Sequence, residues 1–139
     1  MYNSAKSGKS GKRVLLVDDE PDITFSFNMI LEDNGFAVDT FNDPLDALSS
    51  FRSGLYAIAV LDIRMPNMNG FELCSELRKA DDNIKFVFMT AYDIHSEDNN
   101  NNNIKYILMN EKPVILKKPI SLNEFVNRIK KEMDSNSNN

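Results

Sequence analysis

From residue 13 onward the chain alternates between short aliphatic or β-branched runs and longer segments whose apolar residues recur every three or four positions. This alternation leaves few folds open. The short runs fall at residues 13–17, 36–41, 57–61, 84–89 and 114–116. Several are apolar without interruption, the pattern of strands buried on both faces. In the first intervening segment Pro21 stands at a first helical position, Ile23, Phe27, Ile30 and Leu31 share a face, and Gly35 follows the end. Asp43 caps a second helix that begins at Pro44 and turns Ala47, Leu48 and Phe51 inward. A third spans about residues 69–79 with Leu73 and Leu77 inward. In the last, Ser121 and Glu124 form a capping box ahead of the stripe Leu122, Phe125, Val126, Ile129 and Met133. Strand and helix repeated with short connections predict an α/β domain. The expected architecture is a doubly wound five-stranded parallel sheet of the flavodoxin-like type, with its site at the carboxyl ends of the strands.

Residues 93–112 break the rhythm. They include five consecutive asparagines at 99–103, poor helix formers that favour turns. The fourth helix is therefore expected to be irregular or shortened, or replaced by a loop, restarting near Ile104, Ile107 and Leu108. Residues 1–12 read as a flexible segment and 134–139 as a disordered polar tail, leaving 13–133 as one folded domain. Gly8-Lys9-Ser10 hints at a phosphate loop, but that motif needs a Gly at position 3, which is Asn, and a strand before it.

The net charge of −5 argues against broad nucleic-acid or anionic-membrane binding. No apolar run approaches the roughly 18 to 20 residues that span a bilayer, and the N-terminus lacks the apolar stretch of a signal peptide. The single cysteine, Cys74, cannot form an internal disulfide. These features together predict a cytoplasmic protein.

The strands end on chemistry. Asp18, Asp19 and Glu20 follow the first, Asp62 ends the third, Thr90 the fourth, and Lys118-Pro119 follow the fifth. A parallel sheet brings all of them to one rim. Three carboxylates in one cleft repel by roughly 4 kcal/mol per pair at 4 Å and an effective dielectric of 20, so such a cluster calls for a cation. Hard oxygen ligands with few protein carboxylates suit Mg²⁺, which keeps waters and accepts phosphate oxygens. A lysine and a hydroxyl facing the same point supply donors to phosphoryl oxygens, which is what in-line transfer onto a carboxylate requires.

The stretches Val17-Asp18-Asp19-Glu20, Asp62-Ile63-Arg64-Met65-Pro66-Asn67-Met68-Asn69-Gly70, Met89-Thr90-Ala91 and Lys118-Pro119 resemble the response-regulator receiver family of two-component signalling, over about residues 13 to 133. The resemblance implies that Asp62 is a phospho-acceptor, charged by a histidine kinase or histidine phosphotransfer protein. It implies Mg²⁺ bound by Asp19 and Asp62 directly, by Asp18 through water and by the Arg64 backbone carbonyl. Thr90 would swing toward the phosphoryl group and Lys118 would pair with it, with Pro119 after a cis peptide. The chain would then be a stand-alone phosphorelay switch acting on a downstream protein, not an enzyme with turnover on a separate substrate. Its oligomeric state would be a monomer or a phosphorylation-dependent dimer.

Two departures from the family pattern bear on output. The position three residues before Lys118, usually aromatic, is Ile115, and Asn110-Glu111-Lys112-Pro113 replace the usual Gly-Ala-Asp run. Tyr92 or Tyr106 are candidate substitutes for the aromatic, and the bulky Arg64 and Tyr92 suggest slow hydrolysis of the acyl phosphate. A competing reading is a phosphorylation-independent interaction module on the same fold. A phosphatase with an aspartyl-phosphate intermediate is disfavoured, because its acid/base aspartate would stand where Arg64 does. The lone His95 lies in a polar segment and reads as solvent-exposed, Lys117 as an exposed charge, and Cys74 as a small packed residue. The run Arg128, Lys130, Lys131 reads as a solvated helix face.

Overall fold

The computed structural model describes residues 13–91, 110 and 113–137. Its elements in chain order are β1 (Arg13–Val17), α1 (Pro21–Asp33), β2 (Ala37–Phe41), α2 (Pro44–Ser50), β3 (Ile58–Asp62), α3 (Gly70–Ala80), β4 (Lys85–Thr90), β5 (Val114–Lys117) and α4 (Leu122–Ser137). The strands form one parallel sheet in the order β2-β1-β3-β4-β5. From β1 the chain moves outward to β2, then crosses to β3 on the other side. The crevice of a doubly wound sheet therefore opens at the carboxyl ends of β1 and β3.

Strand alternation divides the core into two layers, which explains why the strands read as unbroken apolar runs. Leu15, Val17, Ala59, Leu61, Phe86 and Phe88 face one side, against Ala47 of α2 and Phe71, Leu73 and Leu77 of α3. Val14, Leu16, Ile58, Val60, Val87 and Met89 face the other, against Phe27 and Leu31 of α1 and Phe125, Val126 and Ile129 of α4. There the rings of Phe27 and Phe125 stack at 4.0 Å between centroids.

The helix limits follow local chemistry. Pro21 opens α1, which ends in a Schellman turn: Phe36 N–H donates to the Leu31 carbonyl and Gly35 N–H to that of Glu32, with Gly35 at φ 91°. Asp43 accepts from Leu45 N–H ahead of α2. Asn69 and Glu72 form a reciprocal capping box at α3, so Asn69 is the cap and not the first helical residue. Glu124 N–H donates to Ser121 Oγ at the start of α4.

Several expectations shift in detail. Leu122 does not join the buried stripe of α4: it is the first residue of the helix and is 41% exposed. Asp62 and Thr90 end β3 and β4 as expected, whereas β5 runs one residue past its apolar run to Lys117. Helix α4 continues to Ser137, beyond the expected boundary at Met133. The asparagine run, the restart at Ile104, Ile107 and Leu108, and Tyr92, His95 and Tyr106 lie outside the described residues, as does the segment 1–12. Among the described residues no helix is long and apolar enough to cross a membrane.

Candidate functional site

The polar residues at the strand ends meet at one point. Asp18 follows β1 and is held from three directions: its N–H donates to the Phe41 carbonyl, its carbonyl accepts from Asn42 Nδ2, and its Oδ1 accepts from Glu20 N–H at 2.9 Å. Asn42 Nδ2 also reaches Thr24 Oγ1, tying the β2 end to α1. Asp62 closes β3 and is buried at the floor of the crevice. Thr90 closes β4 and is buried beside it in the sheet, while Lys118 N–H donates to the Thr90 carbonyl at 2.8 Å. The Lys118–Pro119 peptide is cis, as expected.

The Lys118 ammonium lies 2.8 Å from Asp18 Oδ2, 3.2 Å from Glu20 Oε1 and 3.4 Å from Asp62 Oδ1. Asp18, Asp19 and Asp62 each present a carboxylate oxygen within 4.8 Å of the others. Burial pushes the Asp62 carboxyl up to about 7, the Asp18 charge adding to the effect and Lys118 opposing it. Burial also raises Asp18, against the pull of Lys118. Burial works against the Lys118 charge too, but pairing with Asp18 and Asp62 outweighs it and holds the ammonium above its usual value.

One ammonium does not balance this set. Although Asp18 Oδ2 is close to Lys118, it is buried and receives no well-directed hydrogen bond. A buried carboxylate oxygen whose cationic neighbour is shared with Glu20 and Asp62 fits a hard divalent cation held by oxygen ligands.

The β3–α3 loop shows why its sequence is so restricted. Gly70 N–H donates to the Ile63 carbonyl at 2.8 Å, and a Cβ at Gly70 would collide with the Asp62 backbone carbonyl. Asn67 takes a left-handed conformation, φ 76°, which asparagine tolerates. Arg64 is exposed in this loop, two residues after Asp62.

A family model, the response regulator receiver domain, matches residues 14–130. The chain belongs to the response regulator receiver family. The transcriptional regulatory protein TctD of Salmonella typhimurium is 40% identical over 79 residues, 57% of this chain and 35% of TctD. A CheY-like receiver domain protein from Methanospirillum hungatei has a TM-score of 0.75 at 26% identity, covering 91% of this chain and 97% of that one. The response regulator TrrA of Thermotoga maritima is 31% identical over 86% of this chain and 97% of its own. It has been solved with Mg²⁺-BeF and in complex with the histidine kinase ThkA, with TM-scores of 0.70 and 0.68. The chain spans about a third of the length of the curated relatives it matches. The five-stranded flavodoxin-like receiver fold expected from the sequence is thus the fold observed.

The structure brings Asp18, Asp19, Asp62, Thr90 and Lys118 of this receiver to one rim. Lys117 is exposed and Cys74 is buried in the core, as expected. Ile115 is half-buried and packs on the layer that holds Phe71 and Phe88. Sequence reasoning missed three contributors: Asn42, which fixes the Asp18 backbone, Glu20, which shares Lys118, and the reason for Gly70. Nothing in local periodicity marks Asn42 or Glu20, because each acts through a neighbour that only the sheet order supplies.

Proposed function

We propose that Asp62 accepts a phosphoryl group from the phosphohistidine of a histidine kinase or histidine phosphotransfer protein, and that the modified receiver switches a protein-binding surface in a cytoplasmic phosphorelay. The observation that carries this reading is a buried carboxylate at a strand end, clustered with Asp18 and Asp19 and in ion-pair reach of the Lys118 ammonium. A structural salt bridge would need one carboxylate for the lysine, whereas this site holds four.

In the transfer, an Asp62 Oδ attacks phosphorus, the Oδ–P bond forms, and the N–P bond breaks with its electron pair returning to the imidazole nitrogen. Lys118, already 3.4 Å from Asp62 Oδ1, stabilises the equatorial phosphoryl oxygens. Thr90 supplies a hydroxyl from the adjacent strand end. Asp19 and Asp62 would hold Mg²⁺ directly, Asp18 through water, and the Arg64 carbonyl would complete the protein ligands. Bound there, Mg²⁺ supplies charge neutralisation for the carboxylates and the phosphoryl oxygens. The protein is not a turnover enzyme in this reading, since the acceptor is its own side chain and hydrolysis of the acyl phosphate resets it.

Delivery of the phosphohistidine requires docking beside the rim. Helix α1 starts two residues after Asp19 and exposes Phe25 and Met29, one turn apart. An exposed apolar pair at this place suits a helical partner surface, and TrrA supplies the precedent of a receiver solved with its kinase.

A second reading, a receiver fold that binds its partner without phosphorylation, is favoured by Ile115, which places an aliphatic side chain where the family uses an aromatic one. Incubation with Mg²⁺ and a small phosphodonor, read by intact mass, tests the first reading. A gain of one phosphoryl group in the wild type and none in Asp62→Asn supports it. No gain in the wild type, or an equal gain in the variant, overturns it. Partner capture that is the same for wild type and Asp62→Asn would favour the second reading.

A further inference from the structure

We infer that Glu20 is a restraint on Lys118 in phosphoryl transfer: it engages the Lys118 ammonium while Asp62 is unmodified and yields it to the arriving phosphoryl group. This inference rests on the reading of Asp62 as the acceptor. Glu20 occupies the N-cap of α1, where Ser, Thr, Asp or Asn ordinarily turns its side chain back onto the helix. Its side chain makes no capping bond and instead reaches Lys118, 98 residues along the chain, at 3.2 Å.

The three carboxylates around Lys118 are not equivalent. Asp18 and Asp62 are buried, whereas the Glu20 side chain is 63% exposed. Pulling the ammonium from a buried carboxylate strands a desolvated charge, whereas the Glu20 carboxylate is rehydrated at once. The Glu20 backbone is fixed: its N–H donates to Asp18 Oδ1, and its carbonyl accepts from Ile23 and Thr24. Its freedom lies in the side chain alone. The ammonium carries three donors, and three carboxylates already surround it, Glu20 through a directed hydrogen bond. A phosphoryl group on Asp62 adds acceptor oxygens of higher charge, and the contact surrendered is the solvated one to Glu20.

Removing that contact frees Lys118 in advance. Glu20→Gln is expected to raise the rate constant for phosphorylation by a small dianionic donor such as acetyl phosphate by about two- to fivefold at low ionic strength, the range set by exposed ion pairs. The ratio should fall toward unity at about 1 M salt, where the screening length is about 3 Å. The lifetime of the acyl phosphate should lengthen, because the ammonium has one competitor fewer.

The decisive comparison adds Glu20→Asp, which keeps the charge but is one methylene too short for the contact. With Mg²⁺ and acetyl phosphate, phosphorylation and decay are followed by intact mass for wild type, Glu20→Gln and Glu20→Asp at two salt concentrations. Exchange of the Lys118 ammonium protons is followed by NMR as a readout independent of transfer. Faster transfer and faster proton exchange in both variants support the inference. Rates equal to wild type in Glu20→Gln overturn it, as does a wild-type rate in Glu20→Asp beside a fast Glu20→Gln, which would reduce Glu20 to a diffuse negative field. Absence of phosphorylation in the wild type, or its persistence in Asp62→Asn, is a different result: it removes the reading of Asp62 itself, and the inference falls with it.

Discussion

Replacing Asp62 with Asn should make the metal-free protein more stable, although it removes a buried ion-pair contact. The folded-state carboxyl is pushed from 3.8 to about 7 by burial and by Asp18. At about 1.4 kcal/mol per unit this amounts to about 4 kcal/mol of ionisation free energy that folding forfeits at pH 7. Relaxation of the rim loops and entry of water reduce such penalties, so the expected gain lies between about 2 and 4 kcal/mol. With a urea slope of about 2 kcal/mol/M for a domain of this size, the midpoint should rise by about 1 to 2 M. The sign in pH follows from the raised value. The unfavourable contribution of Asp62 is absent below the unfolded value near 4 and grows as pH rises toward 7. The difference between variant and wild type should therefore shrink as the urea titration is repeated from pH 7 down to pH 4. Mg²⁺ should stabilise the wild type and not the variant, closing the gap from the other side. An Asp62→Asn variant no more stable than wild type at pH 7 without divalent cations would refute this account of the site's electrostatics.

Other perturbations read other parts of the molecule. Gly70→Ala places a Cβ against the Asp62 carbonyl and should cost about 1 to 3 kcal/mol in urea unfolding, with slower phosphorylation as β3 shifts. Phe25→Ser should slow transfer from a phosphorylated kinase or phosphotransfer protein at least several-fold while leaving the rate with a small phosphodonor unchanged, measured by intact mass with each donor. Asp39 is drawn below the usual carboxylate range: burial raises it, but hydrogen bonds from Arg13 and Tyr56 outweigh that. Its stabilisation is present above about pH 4 and lost as pH falls through the lowered value. Asp39→Asn should accordingly cost about 2 kcal/mol at pH 7 and progressively less below pH 4, by urea titration at each pH.

Much of this was legible in the chain because it is written locally. Pro21, Asp43-Pro44, Asn69 and Gly35 mark helix limits by their own backbone chemistry, and the uninterrupted strands announce two covered faces. The site was legible for a different reason: Asp18, Asp62, Thr90 and Lys118 each terminate an apolar run, so parallel pairing alone collects them. What escaped notice depends on pairs distant in sequence. The Glu20 side chain could be read as loop solvation until Lys118, 98 residues away, was placed beside it. Asn42 likewise looks like an ordinary turn residue until β2 pairs with β1 and sets it against the Asp18 carbonyl. Leu122 fits the helical stripe by period, yet it opens the first turn of α4 and is exposed. Period fixes a face but not where along a helix the contact begins.

The phosphoryl group is predicted to form an acyl phosphate on Asp62 and on no other carboxylate of the cluster. Borohydride reduces an acyl phosphate to an alcohol, converting the modified aspartate to homoserine, which peptide mass spectrometry locates. After treatment with Mg²⁺ and acetyl phosphate, homoserine is predicted at position 62 alone. Homoserine at position 18 or 19, or none at all in protein that has gained the mass of a phosphoryl group, would contradict it.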